Sequence, residues 1–280
     1  MGKLLRITSI SFCISIFAIP ASAEKFALPQ GCEIPWKEIA VERDVSDNCG
    51  VTGAAKAGPG AEQNRRKNNL CATNAPISLA YKDFSTMQRK AETKSEKESD
   101  FNFGSHVPIK NRKKLRDFHK TAAGTIVGEG MVVRHTGFLA EAREARIGTS
   151  GESVNCKLKE KTNNDIHIDI VRRPGDNPCL SVTAEMIPHF RPDNWTPKNL
   201  NRIRDLRLPV RVAGHLFFDS SHKACTGTKS PGKGHPLRVS LWEIHPVYQF
   251  DVCKKTKKTE CPEDDDSVWL SLHEWVELNK

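Results

Sequence analysis

The sequence predicts a mainly β fold with one helix: an OB-fold-like five-stranded barrel in the order β-β-β-α-β-β, behind an irregular, disulfide-linked N-terminal extension. Three observations predict it. Apolar or alternating runs separated by turn residues follow Gly124, one amphipathic stripe sits between the third and fourth of them, and the cysteines are even in number once a leader-like segment is set aside.

That segment opens the chain. Residues 7–19 form an apolar run of 13 residues holding three Ser and one Thr, short of the roughly 20 needed to span a bilayer. Lys3 and Arg6 precede it, and Pro20-Ala21-Ser22-Ala23 follows with an Ala-x-Ala site, so residues 1–23 read as a signal peptide and the mature chain as starting at Glu24. The expected location is periplasmic or extracellular, with no membrane anchor after cleavage. Composition agrees with a folded chain. With 38% hydrophobic and 28% charged residues and a mean hydropathy of -0.52, neither a polytopic membrane protein nor a wholly disordered chain is expected.

Removing residues 1–23 leaves 41 basic against 34 acidic groups, a formal charge of +7. This excess favours an anionic partner without specifying one. It also leaves eight cysteines and no Cys-x-x-Cys spacing, so disulfides are expected rather than a zinc ribbon or a dithiol redox motif. Cys32, Cys49 and Cys71 fall in the extension and five in the remainder, so full pairing requires a bridge between the two parts. Cys253 and Cys261 flank a short polar loop and are expected to pair.

Residues 24–100 read as the N-terminal extension and charged linker. They hold a glycine-rich stretch, the polar basic run 63–69, and residues 90–100, nearly all charged or small, a linker or solvated helix. Residues 101–280 read as the OB-like β-barrel domain with a C-terminal tail. Its first strand is expected over 125–140, with glycines where it bends. The second, 165–170, alternates strictly, with Ile166, Ile168 and Ile170 on one face and Asp165, His167 and Asp169 on the other. A Pro-Gly-Asp-Asn-Pro turn then leads to a third strand over 180–187. Thr196 as N-cap, Pro197 at the first helical position and Leu200, Ile203 and Leu206 as an apolar stripe predict a helix ending before Pro209. Strands over 210–219 and 238–252 flank a long loop rich in Gly, Pro and Lys.

The segments Asp165-Ile166-His167-Ile168, Glu185-Met186-Ile187-Pro188-His189, residues 210–222 and Leu241-Trp242-Glu243-Ile244-His245-Pro246-Val247 resemble a group of uncharacterised exported bacterial proteins with an OB-like barrel. The likeness spans about residues 49–275 and is most specific at Trp-Glu-Ile-His-Pro. It implies a fold and a compartment, and carries no activity.

Four segments bring a carboxylate and a histidine together: Asp165/His167, Glu185/His189, Asp219/His222 and Glu243/His245. Residues two apart share a strand face, and such donors suit zinc, manganese or acid-base work. The candidate metal ligands are His167, Glu185, Glu243 and His245, and the possible cofactor is a divalent metal. Polar residues facing water would need no such explanation. No Gly-x-Ser-x-Gly, His-Glu-x-x-His or phosphate-binding glycine loop is present.

OB-folds bind through the loops joining strands one to two and four to five. Here these loops carry Lys157, Lys159 and Lys161, and Lys223, Lys229 and Lys233, the candidate ligand-binding residues for a polyanion, nucleic acid or acidic glycan. Strands two and three offer no aromatic platform for stacked bases. The sequence therefore reads as an exported OB-like binding or structural module with a basic loop rim for an anionic or polar ligand. The alternative is a metal-assisted hydrolase or nuclease using the Asp/Glu-His pairs.

Overall fold

The structure, a computed structural model, describes residues 49–145 and 151–280. The expected signal peptide and Cys32 lie outside these residues. In chain order the elements are α1 (Gly58–Lys67), β1 (Ile77–Ser78), α2 (Tyr81–Lys97), β2 (His119–Lys120), β3 (Ile126–Val127), β4 (Val132–Glu144), β5 (Ile166–Val171), β6 (Val182–Met186), α3 (Pro197–Asp205), β7 (Pro209–Phe218), β8 (Trp242–Cys253), β9 (Trp269–Ser271) and α4 (Leu272–Leu278).

Five of these strands close a barrel. β4 pairs antiparallel with both β5 and β7, β5 with β6, and β7 with β8, while β6 and β8 run parallel and complete the ring. With α3 between the third and fourth barrel strands, this is the OB-type order expected from the sequence. Where one helix was expected, four α-helices are described. α3 is the expected one. Thr196 accepts a hydrogen bond from the Asn199 N–H, Pro197 occupies the first turn, and Leu200 and Ile203 are buried. Asn201 then bonds both backbone groups of Ala142, where β4 bulges between Leu139 and Glu141.

The long first strand expected over 125–140 is broken. β3 ends at Val127, and β4 begins at Val132. Gly130 adopts a φ of +90° between them, a conformation that glycine tolerates best. A Cβ on Gly128 would stand 2.6 Å from the Leu115 carbonyl oxygen, so the chain turns closely around a short 3-10 segment, Arg112–Leu115.

Part of the stretch read as linker or solvated helix belongs to α2. Its Phe84, Met87 and Ala91 recur at helical spacing and are wholly buried in the same core as the barrel, while its charged residues face outward. The core is otherwise one face of the barrel strands. Ile166, Ile168 and Ile170 pair in register with Met186, Ala184 and Val182, and Trp195, Phe218 and Trp242 join them.

Disulfides fix the loops. Cys49–Cys156 ties the extension to the segment between β4 and β5, the cross-link that odd cysteine counts required. Cys179–Cys225 joins the turn before β6 to the β7–β8 loop, and Cys253–Cys261 closes the loop expected. No described helix is long and apolar enough to cross a membrane.

Candidate functional site

Strand register places His167 opposite Glu185 on the face away from the Ile168 core. Because β6 lies between β5 and β8, Glu185 also meets β8. Its Oε1 is 3.2 Å from His167 Nδ1, and its Oε2 is 2.8 Å from His245 Nδ1. Asp165 Oδ2 approaches His245 Nε2 at 3.5 Å, and Glu152 Oε1 approaches His167 Nε2 at 3.3 Å. His167 and His245 are thereby linked through one carboxylate.

Two ligand-like groups share that carboxylate: Glu152, His167 and Glu185, and Asp165, Glu185 and His245. In each, the donor atoms lie within 4.8 Å of one another. Of the four candidate ligands read from the sequence, His167, Glu185 and His245 enter these groups. Glu243 does not. It touches His245 Nδ1 at 3.3 Å, but its other oxygen is engaged by the Arg238 guanidinium, which also holds Asp219 at 2.6 Å. Asp219 further accepts from the Ser221 N–H and lies 3.7 Å from His222.

The inner group is sealed from solvent. Asp165 and His245 are 0% exposed and Glu185 2%. Asp165 Oδ2, Glu185 Oε2 and His245 Nε2 have no hydrogen bond of good geometry among the described residues. Buried polar atoms are normally satisfied, and Asp165 Oδ2 and His245 Nε2 depart from that rule beside each other. Glu152 and His167 reach the surface, and theirs is the group a dissolved ligand can approach.

Electrostatics set the protonation. Burial alone would depress both imidazoles, but Glu185 and Glu152 raise His167 to about 9, and Glu185 raises His245 to about 9. Burial, reinforced by Glu152, lifts Asp165 to about 7. Glu185 is held well below the usual carboxylate range because His167 and Lys67 outweigh its burial. The carboxylates thus face Lys67, Arg238 and two imidazolium ions. Exchanging the imidazolium protons for one divalent cation would preserve the charge of the network.

Helix α1 covers this face. Its Lys67 Nζ lies 3.7 Å from Glu185 Oε2 and over the Phe217 ring. Gln63 bonds Ser221 and Ser220 of the β7–β8 loop, and Asn64 bonds Ser153 of the β4–β5 segment. The polar strand face, together with the two loops that bind ligands in OB-folds, is therefore bridged by the chain's own extension.

The six lysines expected at the rim are all exposed. Lys157, Lys159 and Lys161 follow β4, and Lys223, Lys229 and Lys233 follow β7. Lys161 is drawn to Glu144 at 3.5 Å. Trp195, Phe217, Phe218 and Trp242 are buried and form no stacking platform. His106, His222 and His235 pack ring to ring, with centroids 5.2 to 5.7 Å apart.

No family model, curated protein or solved structure matches the chain. Its chemistry is read from its own geometry. Sequence reasoning placed Asp165 among the pairs but not among the ligands, and gave Glu152, Lys67 and Arg238 no part in the site. Lys67 did stand in the polar run 63–69, the one signal that could have raised it.

Proposed function

We propose that the protein is an exported OB-type binding module that holds a divalent cation in the cluster of Glu152, Asp165, His167, Glu185 and His245 and takes an anionic ligand. One observation carries the cation: Asp165, Glu185 and His245 are buried together with ligand-type atoms within 4.8 Å of one another, and Asp165 Oδ2 and His245 Nε2 there make no well-formed hydrogen bond among the described residues. Mixed carboxylate and imidazole donors suit zinc or manganese. Export rests on the expected signal peptide and on the disulfides Cys49–Cys156, Cys179–Cys225 and Cys253–Cys261 among the described residues, a type of cross-link that persists in oxidising compartments. The resemblance to exported OB-like barrel proteins points the same way.

A second reading, metal-assisted hydrolysis of an anionic substrate, is favoured by the partial exposure of Glu152 and His167, 22% and 18% at the side chain, beside the buried Glu185. A metal there would be within reach of a dissolved phosphate ester.

The test is elemental analysis of untagged protein, followed by calorimetric titration of the chelator-treated chain with Mn2+ and Zn2+. One retained or tightly bound ion, lost in Glu185→Gln, supports the cation site. A chain that takes up neither ion has a buried ion-pair network instead. Single-turnover assays on DNA, RNA and simple phosphodiesters then decide whether the bound ion is catalytic.

A further inference from the structure

A cavity of about 230 Å3 lies apart from the carboxylate cluster, between α1 and the segment carrying the 3-10 turn Arg112–Leu115. Glu62 and Arg66 of α1 line it on one side, and Lys110, Asn111, Lys113 and Arg116 line it on the other. Its floor is Arg112. That guanidinium is fully committed: Nε donates to Glu129 at 2.8 Å, Nη2 to Glu129 and to the Phe218 carbonyl, and Nη1 to Gln63. Arg112 and Glu129 cancel each other and set the shape of the cavity.

The remaining charge has little to oppose it. Lys110, Lys113 and Arg116 are exposed and form no ion pair with any described residue. Arg66 is 3.0 Å from Glu62, yet its Nε is buried without a hydrogen-bond partner among the described residues. Four cations thus face one carboxylate. They also stand on a fixed frame, because Arg112 and Leu115 are buried and the Asn111 side chain accepts from the Lys113 N–H. Such preorganisation lowers the entropy lost on binding.

We propose that this cavity binds a phosphate or sulfate oxyanion of a small ligand, through Arg66, Lys110, Lys113 and Arg116. The inference rests on the reading that the ligand is anionic, and moves its contact from the loop lysines to this cavity. Size argues for a small group, since the cavity falls below the roughly 300 to 1,000 Å3 of drug-sized ligand sites. The chemistry argues for the oxyanion itself. The exposed large hydrophobic residues are Val107, Ile126, Leu206, Leu237 and Leu278, none of them aromatic, and no aromatic ring lines the cavity to stack a base.

Calorimetric titration of the full chain with inorganic phosphate, pyrophosphate and sulfate at low ionic strength tests it. K113E/R116E changes two exposed side chains and is checked by thermal melting. We expect it to weaken pyrophosphate binding by at least about tenfold, with K223A/K229A/K233A unchanged and affinity falling as salt rises. Comparing phosphate with sulfate identifies the preferred oxyanion. Binding that survives K113E/R116E but is lost in the loop variant overturns the cavity while leaving an anionic ligand. No binding of any oxyanion by the wild-type chain, when heparin or DNA still binds, also overturns the cavity alone. Failure of all these anions overturns the anionic-ligand reading as well.

Discussion

Lys67 Nζ stands 3.7 Å from Glu185 Oε2, so the carboxylate that joins the two histidines already has a resident cation supplied by α1. The ammonium competes with any metal for that oxygen. Lys67→Met should therefore raise Mn2+ affinity by at least about tenfold, since even a screened charge at this distance is worth on the order of 4 kcal/mol. Calorimetric titration checks it, and an unchanged affinity would show that Lys67 does not oppose the ion. Without metal, the same variant should melt earlier than the wild type.

Arg238 is wholly buried and shared between Asp219 and Glu243. Arg238→Met strands two carboxylates in the interior and should cost about 3 to 5 kcal/mol in urea unfolding. Adding Asp219→Asn and Glu243→Gln removes the stranded charges and should restore much of the loss. Equal stability of the single and triple variants would contradict this account.

Acid should destabilise the fold through His135, His189 and His215, which burial holds at about 4 against an ordinary value of 6.5. Around His135, the Leu79 carbonyl, Glu263 and Asp83 favour the proton and Lys258 opposes it; around His215, the Cys71 backbone favours it and Arg66 opposes it. The unfolded chain binds more protons between these values, so their contribution is fully present above pH 6.5 and is lost as pH falls to about 4. Each histidine contributes about 3 kcal/mol. Unfolding free energies measured across this range should fall less steeply in His135→Gln, and an identical slope would refute its share.

Gly214 gives β8 room beside the site. A Cβ there would lie 2.1 Å from the Pro246 carbonyl oxygen and 2.8 Å from Ile244 Cγ2. Gly214→Ala must displace the backbone next to His245, at a cost of about 2 kcal/mol. Thermal melting measures the loss, and the His245 imidazole resonance should shift with it. An alanine variant as stable as the wild type would show that the strand yields freely.

The barrel was legible because its signals are local. Alternation at Ile166, Ile168 and Ile170, and Thr196-Pro197 before an apolar stripe, record neighbours in sequence. The same period put His167 and Asp165 on one face, and Glu243 and His245 on another strand. The parallel β6–β8 pairing that lets Glu185 serve both histidines is a long-range contact, and no spacing rule reports it. Glu152, Lys67 and Arg238 escaped notice for the same reason. α2 was only partly seen because residues 90–100 show their charged face, whereas its buried stripe includes Phe84 and Met87 upstream.

The hydrogen bonds from α1 to Ser153 on one side and to Ser220 and Ser221 on the other have a kinetic and thermodynamic consequence. A helix on the same chain, held close by the Cys49–Cys156 bridge, competes at an effective concentration fixed by its tether. Dilution does not weaken it. A ligand reaching beyond the exposed edge at Glu152 and His167 onto the rest of this strand face would have to displace that helix, and its apparent affinity would be scaled down by the fraction of molecules in which the helix has lifted.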